Sequence, residues 1–323
     1  MIIPKLRIGQ LKPALPFMQG GMAVRISTAS LAAAVANEGG IGIIAASGMS
    51  PQELREEIRK ARALSSGIIG INIMFAVTAF ADMFKTALQE GIDLVVSGAG
   101  FSRDMFAWGR EAKVPVVPIV STVKLAKISE KLGAQAVVVE GKEAGGHLGT
   151  SLSVAELVPA VKKAVSIPVI AAGGIVEGED VIKAFKYGAD GVQMGIRFAA
   201  SVESNAAQRL KDFYVKSGKQ DLVLIDSPVG LPGRALRNKF TDKLSSDQLK
   251  VNGKCSKCLK HCKGNFCIMT ALENAQQGNL EEGLVFSGEY IEKIDKIMSV
   301  KEIIQTLCDK VENAKIKFGS SYC

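Results

Sequence analysis

The chain has 323 residues, 47% of them hydrophobic, which suits one large α/β barrel and is more than a small domain needs. With 33 Gly and a single Trp, it favours close strand–helix packing over a β-sandwich. The longest apolar runs, such as residues 114–120, are strand-length and far short of the roughly 20 residues that cross a bilayer, so no membrane span is expected.

The first ten residues carry Lys5 and Arg7 without the apolar core of a secretory signal. The cytoplasm is therefore the expected compartment, where disulfides are uncommon. The net charge of +8 is uneven: residues 234–263 hold nine Lys and Arg against Asp242 and Asp247. This stretch reads as a solvated basic lobe, or as a dock for an acidic partner protein. It has no interleaved aromatics and no recognisable module, so nucleic acid is not an expected partner.

In chain order, apolar runs alternate with amphipathic ones over the first 200 residues. Strands are expected at 15–18, 41–46, 68–75, 94–97, 114–120, 136–140, 169–172 and 192–194. Helices between them include 51–65, with a proline at its start, and 154–165 just after Ser153. Eight strands separated by helices predict a closed (β/α)₈ barrel, a TIM barrel, with an open doubly wound sheet as the alternative. After Arg197 the pattern loosens. Helices are expected at 205–217, 269–277 and 300–315, a short apolar run at 222–225 and a turn-rich loop at 227–233. The expected division is a barrel over 1–220 and a Cys-containing lobe over 221–323 that packs on the barrel mouth.

Barrels do their chemistry where strands end, and the strand ends here are rich in glycine. The first ends in Gln19, Gly20, Gly21, Met22 and Ala23, and the sixth in EGKEAGGHLG at 140–149. The seventh runs into Gly173 and Gly174, and the eighth into Gln193, Met194 and Gly195. Paired glycines after strands seven and eight expose backbone N–H groups where barrels hold a phosphate. No GxGxxG follows the first strand, which excludes a dinucleotide fingerprint. His147 is the only histidine of the barrel portion and sits in the glycine loop after strand six. Imidazole there can move a proton or hydrogen-bond a substrate anion.

Four cysteines, Cys255, Cys258, Cys262 and Cys267, follow a C-x₂-C-x₃-C-x₄-C spacing, with His261 among them. Four thiolates so close suit a metal centre, either an iron–sulfur cluster or a Cys₄ or Cys₃His zinc site. Free thiols are the blander reading of any one of them. Cys308 lies in a helical pattern and is expected to be packed, and Cys323 to be free.

The segments MQGGMA (18–23), GINIM (70–74), SGAG (97–100), EGKEAGGHLG (140–149), IPVIAAGGI (167–175) and GADGVQMGIRF (188–198) come in order along the whole barrel. With SPVGLPGRALRN and GLVFSGE further on, the chain resembles the nitronate monooxygenase (2-nitropropane dioxygenase) family, which includes the flavin-dependent enoyl-acyl-carrier-protein reductase II. The resemblance implies one FMN at the barrel mouth. Gly21, Met22 and Asn72 would face its ring, beside Glu140, Gly145 and Gly146 of the sixth loop. Gly173, Gly174, Gln193, Met194 and Gly195 would hold its phosphate, and Ser287 and Gly288 would close over it. His147 matches the family's active-site histidine. Many relatives have Thr where this chain has Ile196, so backbone N–H groups would take the phosphate unaided. The Cys-rich segment resembles an insertion of some bacterial members.

The resemblance leaves nitronate oxidation as the first expectation and NAD(P)H-dependent reduction of an enoyl thioester as the alternative. An iron–sulfur flavoprotein reductase comes third. Expected partners are a small-molecule substrate, an acidic carrier or electron-transfer protein, and a second copy of the chain.

Overall fold

The computed structural model describes residues 2–3, 5–246, 255–314 and 317–318. Eight parallel strands close a barrel: β1 Phe17–Gln19, β2 Ile41–Ala45, β3 Ile68–Met74, β4 Leu94–Gly98, β5 Val116–Val120, β6 Val137–Glu140, β7 Val169–Ala172 and β8 Gly191–Met194. Closure is explicit, because β8 pairs with β7 through Gly191 and Ile170 and with β1 through Val192 and Phe17. The open-sheet alternative is thereby excluded. The expected strand positions agree with these bounds to within two residues.

The barrel interior is filled rather than hollow. Met18, Ile43, Val96, Val117, Val138 and Ile170 point inward, and Leu6 and Ile8 of the N-terminal segment join the same cluster. Outside lie α1 Ala29–Asn37, α2 Pro51–Leu64, α3 Phe80–Gln89, α4 Arg103–Ala112, α5 Val123–Leu132, α6 Val154–Lys162 and α7 Gly178–Lys186. Their starts follow from local chemistry. The Ser50 hydroxyl accepts Glu53 N–H one residue before Pro51, and Ser153 with Glu156 forms a capping box. A Cβ on Gly42 of β2 would fall 1.9 Å from the Ala32 carbonyl oxygen, so only glycine lets α1 lie so near the strand.

After β8 come the single-turn α8 Ile196–Ala199, then α9 Gln208–Lys216, the hairpin β9 Leu222–Asp226 and β10 Pro232–Leu236, α10 Lys239–Ser245, α11 Ile268–Gln276 and α12 Val300–Asn313. The apolar run at 222–225 is thus a hairpin strand. The chain then returns to the ring: Ile303, Leu307 and Val311 of α12 share a core with Leu31 and Val35 of α1 and Val181 and Phe185 of α7. The segment between α8 and α12 is therefore an excursion over the barrel mouth. Among the described residues, no helix is long and apolar enough to cross a membrane.

Candidate active site

The C-terminal ends of the strands and the excursion above them enclose a cavity of about 480 Å³, within the range of small-molecule sites. Gly21, Met22, Asn72, Glu140, Gly145, Gly146, His147, Gly173, Gly174, Gln193, Gly195, Ser287 and Gly288 all line it. Residues read from six separate stretches of sequence thus converge on one space. Met194 does not line it. Strand alternation turns Gln193 toward the cavity and Met194 into the outer core, where it is 1% exposed. Only its backbone serves the site, the carbonyl accepting Gly20 N–H at 2.8 Å.

The glycines do different jobs. Gly173 and Gly174 have φ of +99° and +67°, a run of left-handed backbone that strains any other residue. A Cβ on Gly145 would lie 2.6 Å from the Ser287 carbonyl carbon, so its bareness serves packing of the sixth loop against residues 287–288. A Cβ on Gly195 would meet only Met22 Sδ at 4.0 Å. The space before Gly195 is therefore open to a ligand. Neither Lys nor Arg lines the cavity among the described residues, so an anion there depends on backbone donors.

Three polar side chains on the wall are unspent. Asn72 and Gln193 are each 8% exposed, and neither they nor Glu140 makes a side-chain hydrogen bond or ion pair among the described residues. Buried polar groups are nearly always paired, so three unpaired ones facing one cavity mark where a ligand's polar edge fits. Gln19 is the contrast. It is fully buried and satisfied, accepting Ile43 N–H at 2.9 Å and donating to Ser27 Oγ at 2.8 Å. With Ser27 accepting Met22 N–H, it holds the loop after β1 in shape.

His147 is placed by the excursion as much as by the barrel. Gly146 and His147 form a two-residue strand on β10, paired with Arg234 and Gly233. The Arg234 guanidinium donates to the carbonyls of Lys142 and Ala144 and faces Glu289 at 3.5 Å, fixing the start of that loop. His147 Nε2 hydrogen-bonds Ser227 Oγ at 2.7 Å, and the imidazole meets Phe286 edge-on at 5.2 Å. Burial pushes its pKa down to about 4, so the ring is neutral at neutral pH. Ser227 and Phe286 lie within motifs visible in the sequence, but nothing in their spacing revealed contact with the histidine.

Burial pushes the Glu140 carboxyl up to about 7. Folding thus lets it keep a proton that the unfolded chain loses above its ordinary 4.5. That stability is intact below about pH 4.5 and is lost as pH rises through 7. His147 runs oppositely: its contribution is full above 6.5 and lost as pH falls toward 4. Glu140→Gln in flavin-free protein should therefore raise stability at pH 8.5, by up to roughly 3 kcal/mol, and give no gain at pH 4. Thermal melts at the two pH values check this. An equal gain at both would contradict a buried titrating carboxyl.

The metal reading of the cysteines is not supported. Among the described residues, no three His, Cys, Asp or Glu side chains are gathered to hold a metal ion. Cys255, Cys262 and Cys267 are exposed and Cys258 is half-buried. The segment is shaped by its apolar residues instead. Leu259 and Phe266 enter the core, Leu259 bridges to Val77, and Lys260 Nζ sits 3.6 Å over the Phe75 ring. Cys308 is buried, as its helical pattern predicts, and Cys323 lies outside the described residues.

A (β/α)₈ barrel whose sixth loop brings a histidine to a cavity at the strand ends sets the class, and comparison with known proteins fixes the family. The nitronate monooxygenase family model matches residues 6–92 and 86–310, and the chain belongs to that family. It is an oxidoreductase, flavin-dependent as its motifs imply. It is 30% identical to a (3aS,4S,5R,7aS)-5-hydroxy-7a-methyl-1-oxo-octahydro-1H-indene-4-carboxyl-CoA dehydrogenase of Mycobacterium tuberculosis, over 90% of this chain and 91% of that one. It is 31% identical to a probable nitronate monooxygenase of Staphylococcus aureus, over 71% of this chain and 77% of that one. The structure of FabK from Thermotoga maritima superposes with a TM-score of 0.84 at 34% identity, over 94% of both chains. A nitroalkane oxidase from Streptomyces ansochromogenes, 23% identical with a TM-score of 0.80 over 94% of this chain and 97% of that one, shares the fold.

Proposed function

We propose that the chain binds FMN in this cavity and oxidises nitronates, with His147 as the side chain that meets the substrate. The observation that carries this reading is a neutral imidazole on the wall of a cavity that also presents the unpaired Asn72, Gln193 and Glu140 side chains. The open space before Gly195 and the backbone around Gly173 and Gly174 would take the phosphate, and Asn72, Gln193 and Glu140 the polar edge of the ring. When bound, FMN supplies the redox chemistry, accepting the substrate's electrons and passing them to oxygen.

The chain's own contribution is placement. An imidazole with its pKa near 4 is a weak base toward a carbon-bound proton. It suits a substrate that arrives already deprotonated, as a nitronate does, and whose anionic oxygens accept a hydrogen bond. Ser227 holds the ring at Nε2 and Phe286 backs it.

Likeness to FabK over nearly the whole chain favours a second reading, reduction of an enoyl thioester by NAD(P)H. The exposed Lys257, Lys260 and Lys263 beside the mouth would then meet an acidic carrier protein. Anaerobic mixing of FMN-loaded protein with propane-2-nitronate, NADH or NADPH separates the two. Nitronate should bleach the flavin at least tenfold faster than either nicotinamide. Rapid bleaching by a nicotinamide and none by nitronate would replace the first reading with the second.

A further inference from the structure

One end of the cavity differs from the rest. Beyond the glycine-rich strand ends it is walled by Ile26, Ala199, Leu210, Leu272, Ala275 and Leu284, drawn from the loop after β1, from α8, α9 and α11, and from the strand-like segment after α11. Five of these six are buried, and the sixth, Leu272, is partly so. Among the described residues that wall this end, the one polar side-chain group is the Tyr214 phenol on α9. Tyr214 is 2% exposed, and it makes no side-chain hydrogen bond among the described residues. Its oxygen is not sealed in protein either: among the described residues, the fully enclosed unpaired side-chain atoms are Arg197 Nε and Asn265 Oδ1. The residue also lines the cavity. The unpaired hydroxyl therefore looks into the open space.

We propose that this apolar end is a compartment for an aliphatic group that carries a hydroxyl or carbonyl, which pairs with the Tyr214 hydroxyl. The inference rests on the flavin reading only in leaving the glycine-rich end to FMN. Water is a poor occupant, since a buried water needs two to four polar partners and this end offers one. The polar edge of FMN is equally ill-suited, because the unpaired Asn72, Gln193 and Glu140 lie on the strand ends instead. Burial raises the Tyr214 pKa above its ordinary value, and no charged group contributes to the shift. The phenol stays a neutral donor across the physiological range. An apolar body with one hydrogen-bonding atom matches the wall on both counts.

The probes are butan-1-ol, hexan-1-ol and octan-1-ol, titrated calorimetrically into FMN-loaded protein. Affinity should rise roughly fourfold per methylene, the value of about 0.8 kcal/mol for each buried CH₂. Tyr214→Phe, which keeps the shape, should weaken octan-1-ol by about two- to tenfold and leave FMN affinity unchanged. Ala275→Phe should remove the chain-length dependence by filling the compartment, and Leu272→Trp does the same from a partly buried position if the first variant fails to fold. Affinities independent of chain length, or a Tyr214→Phe variant that binds octan-1-ol as the parent does, would overturn the proposal. Loss of FMN affinity in Tyr214→Phe would overturn it too, because the end would then belong to the cofactor's cradle. If the parent protein binds no FMN yet shows the same alcohol series and the same Tyr214 effect, the flavin reading fails and the compartment stands.

Discussion

Replacing His147 with alanine should cut nitronate turnover about 10²–10³-fold, the usual cost of losing one hydrogen bond to a developing or resident oxyanion. FMN affinity and the far-ultraviolet spectrum should not change. The ring touches the sixth loop, Ser227 and Phe286, while backbone pairing of Gly146 and His147 with β10 holds the loop whatever the side chain. His147→Asn, which keeps a donor, should recover part of the loss. Ser227→Ala should cost less, because it frees the ring without removing it. Single-turnover reduction by propane-2-nitronate gives the rates. Wild-type rates in the alanine variant would make His147 a structural histidine, there to pack on Phe286.

The parts legible in the sequence were those governed by local periodicity and by glycine. Mostly apolar runs of three to eight residues separated by amphipathic stretches located all eight strands, since a parallel barrel buries both faces of each one. Strand β1 was the least well placed, with residues 15–18 expected and Phe17–Gln19 found. Pro13, Leu15 and Pro16 are apolar whether or not they pair. Ring closure lay in the register of β8 against β1, a contact between distant parts of the chain that no local pattern encodes.

The site divides in the same way. Gly173 and Gly174 were visible because left-handed backbone demands glycine there, and Gly195 because a bare backbone leaves room for a ligand. Met194 was carried along by its motif, although strand alternation turns it away from the cavity. Ser227 and Tyr214 were missed because each is a common residue on an ordinary turn or helix. Only the fold brings the first to His147, and only the fold leaves the second without a partner. The metal reading of the cysteine spacing went unsupported for a related reason. Spacing fixes how near four thiols can come, and Leu259 and Phe266, by entering the core, decide where the segment goes.

The central claim is that FMN lies in the cavity with its phosphate before Gly195, and Gly195→Asp tests it. Gly195 has an ordinary negative φ of −99°, and a Cβ there meets nothing nearer than Met22 Sδ at 4.0 Å. The aspartate therefore fits the folded chain, and its effect is electrostatic. A carboxylate about 4 Å from a phosphate charge costs roughly 4 kcal/mol at an effective dielectric near 20, close to a thousandfold in Kd. The measurement is a titration of flavin-free protein with FMN and with riboflavin, followed by flavin fluorescence. The parent should bind one FMN per chain and prefer it to riboflavin, and Gly195→Asp should lose that preference while binding riboflavin nearly as before. A parent that takes FAD or no flavin, or a variant that binds FMN as tightly as the parent, would contradict the claim.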